Sequence, residues 1–368
     1  MYLSFYGFRD EPFRLTPDPR YLHLSEPHQA ALTAVLEGIF YRKGLVMLTG
    51  PIGTGKTTLV HSALQLISDR KMPIKSALLF NPVLTRDEFL EMMLEEFEIK
   101  CTSTSKPRRL AALHQMLLDT QRAKGTAVLF VDEAHLLTPE LLEEIRLLGN
   151  ADTHEGKLLQ IVLSGQPELL TIMQRKELSA LQQRVAARAN LRPLSLPETR
   201  VYVAGRLHAA GLQGSSPFSP DALTAIHTYS GGVPRLINLV ADSSLALGFR
   251  KRRNTIQSDT VEEAAASLGL GLPEASSSVK SVLHEPVWRR KPAQPDANGE
   301  ASAQSEGTLA HGFEVAQGAT REDFEAETVS VWRTGASDAV KSDGAIQKTA
   351  VDRIIEAMKT RTVPRGAR

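Results

Sequence analysis

An α/β domain on a parallel five-stranded sheet with helices on both faces, then a small all-helical unit and a polar tail, is what three features of this 368-residue chain predict. The first is Gly50-Pro51-Ile52-Gly53-Thr54-Gly55-Lys56-Thr57-Thr58, a match to G-x-x-x-x-G-K-[ST] that follows the apolar run Leu45-Val46-Met47-Leu48-Thr49 and precedes a helical pattern. The second is Thr126-Ala127-Val128-Leu129-Phe130-Val131, a continuous apolar run of the kind buried on both faces of a parallel sheet, ending on Asp132-Glu133. The third is a change in pattern: from Pro197 the chain reads as helices only, and after about residue 271 Ser, Ala, Glu, Gly, Gln and Pro dominate without apolar periodicity.

Composition bounds the function. A hydrophobic content of 42% supports a real core, whereas a net charge of +1 gives no bulk electrostatic case for nucleic acid. Cys101 is the one cysteine, so no internal disulfide forms, and a small apolar role fits it better than a nucleophile. Residues 1–8 lack the basic start, apolar core and cleavage site of a signal peptide, and no stretch approaches the roughly 18 apolar residues of a membrane span. The expectation is a cytoplasmic protein.

The elements follow in order. Residues 1–24 crowd Phe5, Tyr6, Phe8, Pro12, Phe13, Pro17, Pro19 and Tyr21 into a segment without periodicity, either a strap over the core or a wrap for a nucleotide base. Ser25 caps a helix to about Lys43, stopped by Gly44. The first strand, the glycine-rich loop and its helix come next, then a strand over 74–80 ended by Asn81-Pro82. Thr85 and Glu88 form a capping box for a helix to about Phe97, and Ser105 with Pro107 opens another ending near Lys124. After the 126–131 strand, Thr138-Pro139 opens a helix to about Leu148, and 158–164 is the fourth strand. A helix is expected over 181–190 and a fifth strand over 191–194. Helices follow at 197–210, 220–229 with Ser219 as cap, 234–249, and 259–268 with Ser258 as cap. The domains are then 1–24, the nucleotide-binding 25–195, the helical 196–270, and a mostly disordered 271–368 with a short helix near 347–358. Two Val-Trp-Arg segments, at Trp288 and Trp332, lie in that tail.

Residue types in these places specify chemistry. Gly50, Gly53 and Gly55 let the backbone curl so that N–H groups point at a phosphate, and the helix adds its positive dipole end. Lys56 reaches the outer phosphates of ATP, while Thr57 and Asp132 suit Mg2+, and Glu133 can polarise an attacking water. Ser164 and Gln166, at the end of the fourth strand, are both candidates for a polar group that senses the γ-phosphate. Arg184 and Arg188, four apart on the expected helix, share a face, and either is a candidate arginine finger for a neighbouring subunit. Arg235 stands in the first turn of a helix, against the dipole, where a phosphate partner suits it. The run Arg250-Lys251-Arg252-Arg253 ends that helix and is explained by dipole complementarity.

Taken together, the chain resembles the AAA ATPases of the general secretion pathway protein A type, including relatives found with exopolysaccharide and exosortase systems. The resemblance covers roughly residues 1–270 and rests on Phe5-Tyr6-Gly7-Phe8, Glu11-Pro12-Phe13, Thr16-Pro17-Asp18-Pro19-Arg20, the phosphate loop, Asp132-Glu133-Ala134-His135, Gly165-Gln166-Pro167-Glu168-Leu169, Gln183-Arg184 and Gly232-Val233-Pro234-Arg235-Leu236-Ile237-Asn238. It implies an AAA+ P-loop NTPase core with a helical lid, ATP hydrolysis, Arg235 as the sensor-two arginine, and a homo-oligomer in which a neighbour supplies the finger. Secretion members carry a transmembrane segment and a peptidoglycan-binding domain after the ATPase. This chain shows neither, which favours the members associated with polysaccharide export and proteins of that envelope system as partners. The other functional class is an ATP-switched, DNA-binding regulator similar to transposition proteins with related AAA cores, supported by Arg250 to Arg253 and the basic end of the tail.

Overall fold

Both faces of the central sheet are greasy, and the fold follows from covering them. The computed structural model describes residues 2–15, 25–68, 74–80, 83–154 and 156–271. Thr16-Pro17-Asp18-Pro19-Arg20, Tyr21, Asn81-Pro82, both tryptophans and the tail helix expected near 347–358 lie outside the described residues.

In chain order the elements are α1 (Leu3–Tyr6), α2 (Glu26–Phe40), β1 (Leu45–Thr49), α3 (Lys56–Ser68), β2 (Ile74–Leu79), α4 (Arg86–Glu96), α5 (Lys106–Arg122), β3 (Thr126–Val131), α6 (Pro139–Leu148), a small hairpin of β4 (Asp152–Thr153) and β5 (Gly156–Lys157), β6 (Leu159–Gly165), α7 (Glu168–Met173), α8 (Ser179–Gln182), β7 (Val185–Asn190), α9 (Leu196–Ala209), α10 (Pro220–Ser230), α11 (Pro234–Arg250) and α12 (Ser258–Ser267). The main sheet has five strands in the order β2-β3-β6-β1-β7, and all four pairings within it are parallel.

Period-two alternation assigns each strand residue to a face. Leu45, Met47, Ala127, Leu129, Val131, Leu159, Ile161 and Leu163 enter one core with Phe89, Leu90 and Met93 of α4, Leu113 and Leu117 of α5, and Leu141 and Ile145 of α6. Val46, Leu48, Val128, Phe130 and Val162 enter the opposite core with Leu32, Val35, Leu36 and Ile39 of α2 and Leu59, Val60 and Ala63 of α3.

Caps behave as local chemistry dictates, with instructive exceptions. Thr85 and Glu88 form the expected capping box, Thr138 accepts from the Leu141 N–H, and Ser219 accepts from the Ala222 N–H. Ser25 holds the N-cap position of α2 without capping it, because its hydroxyl is taken by His28 Nδ1 at 2.6 Å. The helix also ends at Phe40 rather than Lys43. Ser258 is the first helical residue of α12 and Gln257 its cap.

One sequence expectation fails outright. Residues 185–190 are not helical: they form β7, an edge strand on β1, and 191–194 is not a strand. Arg184 and Arg188 therefore share no helical face. Alanine at 186, 187 and 189 favours a helix locally, but pairing along β1 satisfies the backbone, and Ala187 and Ala189 pack against the α2 side of the sheet.

The helices α9 to α12 enclose their own core, and the N-terminal segment joins it: Tyr6, Phe8 and Phe13 are buried among Tyr202, Leu207, Ile237, Val240 and Leu245. Arg206, 7% exposed, fastens this segment by donating to the carbonyls of Pro12 at 2.6 Å and Arg14 at 2.9 Å and to the Tyr202 hydroxyl at 3.1 Å. Tyr202 in turn donates to Asn238 at 3.0 Å, and the Tyr2 hydroxyl donates to Asp242. Burial pushes the Asp242 pKa up, and that bond opposes the shift.

Arg206→Met keeps the bulk and removes the donors, leaving two inward carbonyls unsatisfied. A loss of roughly 2–4 kcal/mol in global stability is expected, with faster tryptic cleavage at Arg9 or Arg14. Wild-type thermal unfolding and protease resistance would show that the network holds nothing.

Candidate functional site

The carboxyl ends of β1, β3 and β6 lie along one edge of the sheet, where open α/β folds bind ligands. β1 leads there into the glycine-rich loop. Gly53 has φ +78°, and a Cβ on it would lie 3.0 Å from both Arg235 Cβ and Val233 Cγ1. Gly55 has φ +95°, with His28 Nε2 at 3.3 Å from the place a Cβ would take. Both positions need glycine for conformation and for space. Thr54 is buried, and its hydroxyl donates to the Pro51 carbonyl at 2.7 Å. Ile52 is exposed at the loop tip, and the Thr58 carbonyl accepts from the Ser62 hydroxyl at 2.7 Å inside α3.

Lys56 is 5% exposed and donates through Nζ to the carbonyls of Gly50 at 2.9 Å and Pro51 at 3.1 Å. Burial pushes its pKa down, opposed by the nearby carboxylates of Glu133, Asp132 and Glu168. The Thr57 hydroxyl donates to Asp132 Oδ2 at 2.6 Å, and the Glu133 N–H donates to Asp132 Oδ1 at 3.0 Å. Two hard oxygen donors in contact beside a phosphate loop fit Mg2+, which takes few protein ligands and fills its shell with water and phosphate.

Glu133 departs from strand geometry. Its backbone is left-handed, φ 49° and ψ 36°, which for a non-glycine residue costs about 1–2 kcal/mol. Strain of this kind gathers at functional sites. It turns the chain out of β3 and sets the carboxylate 3.3 Å from His135 Nδ1. His135 Nε2 is 3.0 Å from Gln166 Nε2, and the Gln166 backbone N–H donates to His135 Nδ1 at 3.4 Å. Burial pushes the imidazole pKa down, with Glu133 the strongest opposing charge, so the ring is neutral near pH 7.

The remaining sequence candidates separate. Gln166 reaches the Glu133–His135 pair. Ser164 does not: it is 1% exposed, and its Oγ has no hydrogen-bond partner among the described residues. Arg235 stands over the loop, its N–H donating to the Gly53 carbonyl at 3.2 Å, with an exposed side chain. Arg184 is elsewhere. It precedes Val185, which pairs with Leu45 at the start of β1, so it lies more than about 13 Å along the strand from the loop end. There its guanidinium donates to the Arg146 carbonyl at 3.1 Å and lines a small cavity with Lys43 and Lys157. Arg188 is exposed in mid-strand, opposite Met47.

Sequence reasoning assigned no role to His28 or His135. His28 Nε2 sits 2.8 Å from the Thr54 carbonyl and supports the loop from behind. Nothing local announces this contact, which spans 26 residues. His135 was visible only as the last residue of Asp132-Glu133-Ala134-His135.

A phosphate loop opening α3, an acidic pair ending β3, and a helical unit laid on that loop define a P-loop nucleotide-binding protein of the AAA class. The AAA domain family model matches residues 39–173. General secretion pathway protein A of Aeromonas hydrophila is 39% identical over 268 residues, 72% of this chain and 48% of that protein. An uncharacterized HTH-type transcriptional regulator of Methanocaldococcus jannaschii is 24% identical over 187 residues, 50% of this chain and 43% of that one. The chain thus belongs with the AAA ATPases of the general secretion pathway protein A type, and it spans about half the length of the curated relatives it matches. Among solved structures, Cdc6p of Pyrobaculum aerophilum is similar at a TM-score of 0.55 and 19% identity, over 70% of this chain and 71% of that one. A chain of Drosophila ORC bound to DNA is similar at 0.56 and 18%, over 74% and 67%. At such identities the likeness concerns the fold.

Among the described residues no helix is long and apolar enough to cross a membrane.

Gly55→Ala forces a side chain into a left-handed position and against His28. Affinity for a fluorescent ATP analogue is expected to fall about tenfold or more, a penalty of roughly 1.4 kcal/mol, while the strain of about 1–2 kcal/mol lowers the melting temperature by only a few degrees and leaves the protein folded. Unchanged affinity would show that the loop does not need this conformation.

Proposed function

We propose that the protein is a Mg2+-dependent ATPase, converting ATP to ADP and phosphate, that powers or gates assembly of a cell-envelope secretion or exopolysaccharide export system. The observation that carries the enzymatic part is the strained Glu133 placed beside the Thr57–Asp132 contact at the mouth of the phosphate loop.

In this reading the loop N–H groups and Lys56 hold the phosphates, and Lys56 gives up its carbonyl contacts for them. Thr57 and Asp132 hold Mg2+, whose charge offsets that of the phosphates. Glu133 orients the attacking water and accepts its proton, and Gln166, with Ser164 as the other candidate, senses the γ-phosphate. Arg235 reaches the same phosphates from the lid. Arg184, at the far end of β1 from its own loop, serves a neighbouring copy's nucleotide, so the working form is a homo-oligomer. Positioning and charge do most of the catalysis. The secretion role is supported by the name of the Aeromonas hydrophila relative; in this reading the protein works on the cytoplasmic side, held at the inner membrane by its partners.

The DNA-binding reading has weaker support. Lys251 pairs with Glu263, and Arg253 pairs with Asp259 at 2.6 Å, so half of the basic run serves the helical unit itself.

Steady-state ATP hydrolysis tests the proposal. Glu133→Gln should keep ATP affinity and lose about 100-fold or more in turnover; unchanged turnover would refute the base. The specific rate of wild type should climb with protein concentration, and that of Arg184→Ala should stay low. A flat rate untouched by the mutation would mean a self-sufficient monomer. ATP-dependent, salt-sensitive DNA binding with no turnover would favour the regulator instead.

A further inference from the structure

We propose that His135 is a positioning residue that relays the state of the nucleotide's outer phosphate from Gln166 to Glu133. The inference rests on the ATPase reading above and adds to it the device that ties water activation to the phosphate sensor.

The ring stands between the two groups with a nitrogen for each. As the Nδ1–H tautomer it donates to Glu133 Oε2 across 3.3 Å and accepts from the Gln166 side-chain N–H at 3.0 Å. The alternative tautomer is also provided for. Its bare Nδ1 accepts the Gln166 backbone N–H at 3.4 Å, and its Nε2–H needs only the Gln166 amide turned so that the oxygen faces the ring. In the first state Glu133 is held; in the second it is released. The orientation of one amide selects between them: a γ-phosphate that accepts one hydrogen of the Gln166 side-chain NH2 turns that group so that the other donates to Nε2, which selects the first state and sets Glu133 for the water.

The ring cannot simply swing out. Its side chain is 12% exposed. It belongs to a single 3-10 turn, Ala134–Leu136, whose Leu136 N–H donates to the Glu133 carbonyl at 2.9 Å. Its backbone N lies 3.2 Å from where a Cβ on Gly165 would be, so the turn rests directly on the end of β6. The charged groups around it are Glu133, Glu168, Lys56 and Asp132. The burial that lowers its pKa keeps a neutral, two-faced ring at working pH.

The test is a mutant cycle on the full chain with ATP and Mg2+. His135→Ala and Gln166→Ala should each lower kcat by about ten- to a hundredfold with KM and ATP affinity within about twofold of wild type, and the double variant should be no worse than the poorer single. His135→Asn, which keeps an N–H near the Nδ1 position, should recover part of kcat and be indifferent to Gln166→Ala. Losses that multiply in the double variant, or a His135→Ala enzyme of wild-type kcat, would overturn the relay. Glu133→Gln is run alongside: if it is inactive while His135→Ala is active, only the relay falls, whereas an active Glu133→Gln removes the base assignment and the relay with it. A readout independent of turnover is the 15N resonances of His135. Both tautomers are expected in the free protein, with a shift toward Nδ1–H on adding a non-hydrolysable ATP analogue. One tautomer unchanged by the analogue would overturn the proposal.

Discussion

A parallel sheet buried on both faces leaves polar side chains one place to go. Along β1, β3 and β6 nearly every residue is committed to one apolar core or the other, so charge has to wait for the strand ends. Because the strands are parallel, their carboxyl ends meet on a single edge, and the residues just past them become neighbours: the loop after Thr49, the Asp132-Glu133 pair after Val131, and Gln166 after Gly165. The site is a consequence of that packing constraint.

The second constraint is close approach. The turn that opens α11 is laid against the loop so tightly that Gly53 has no room for a side chain, and Arg235 is fixed there by its own backbone hydrogen bond. The same helical unit takes up the aromatics of the N-terminal segment, and the buried Arg206 knots the two together through Tyr202 to Asn238 of α11. The helix that carries Arg235 therefore shares its core with the first residues of the chain. This gives the aromatic N-terminus a physical task, completing the helical core.

The three histidines near the nucleotide edge divide the labour. His28 braces the loop through Thr54, and His61 stacks on Phe80 at 5.9 Å behind β2. His135 links carboxylate and amide. Each has its pKa pushed down by burial, and His28 and His135 each use both ring nitrogens for polar contacts.

The sequence by itself determined whatever depends on contiguous residues. The phosphate loop, the acidic strand end, the apolar runs of the sheet and the capped helices α4, α6 and α10 are all legible, because motif spacing, periodicity and capping act over a few residues. Tertiary structure decided the rest. Residues 185–190 are alanine-rich and helix-prone in isolation, yet the unpaired edge of β1 offers them a ladder, which moves the fifth strand and separates Arg184 from Arg188. The left-handed turn at Glu133, the grip of His28 on the loop, the meeting of His135 with Gln166 and the burial of Phe8 and Phe13 under Arg206 all join residues far apart in the chain or strain a residue against its local preference. Such features are stable only once the surrounding packing has formed, so no local pattern records them.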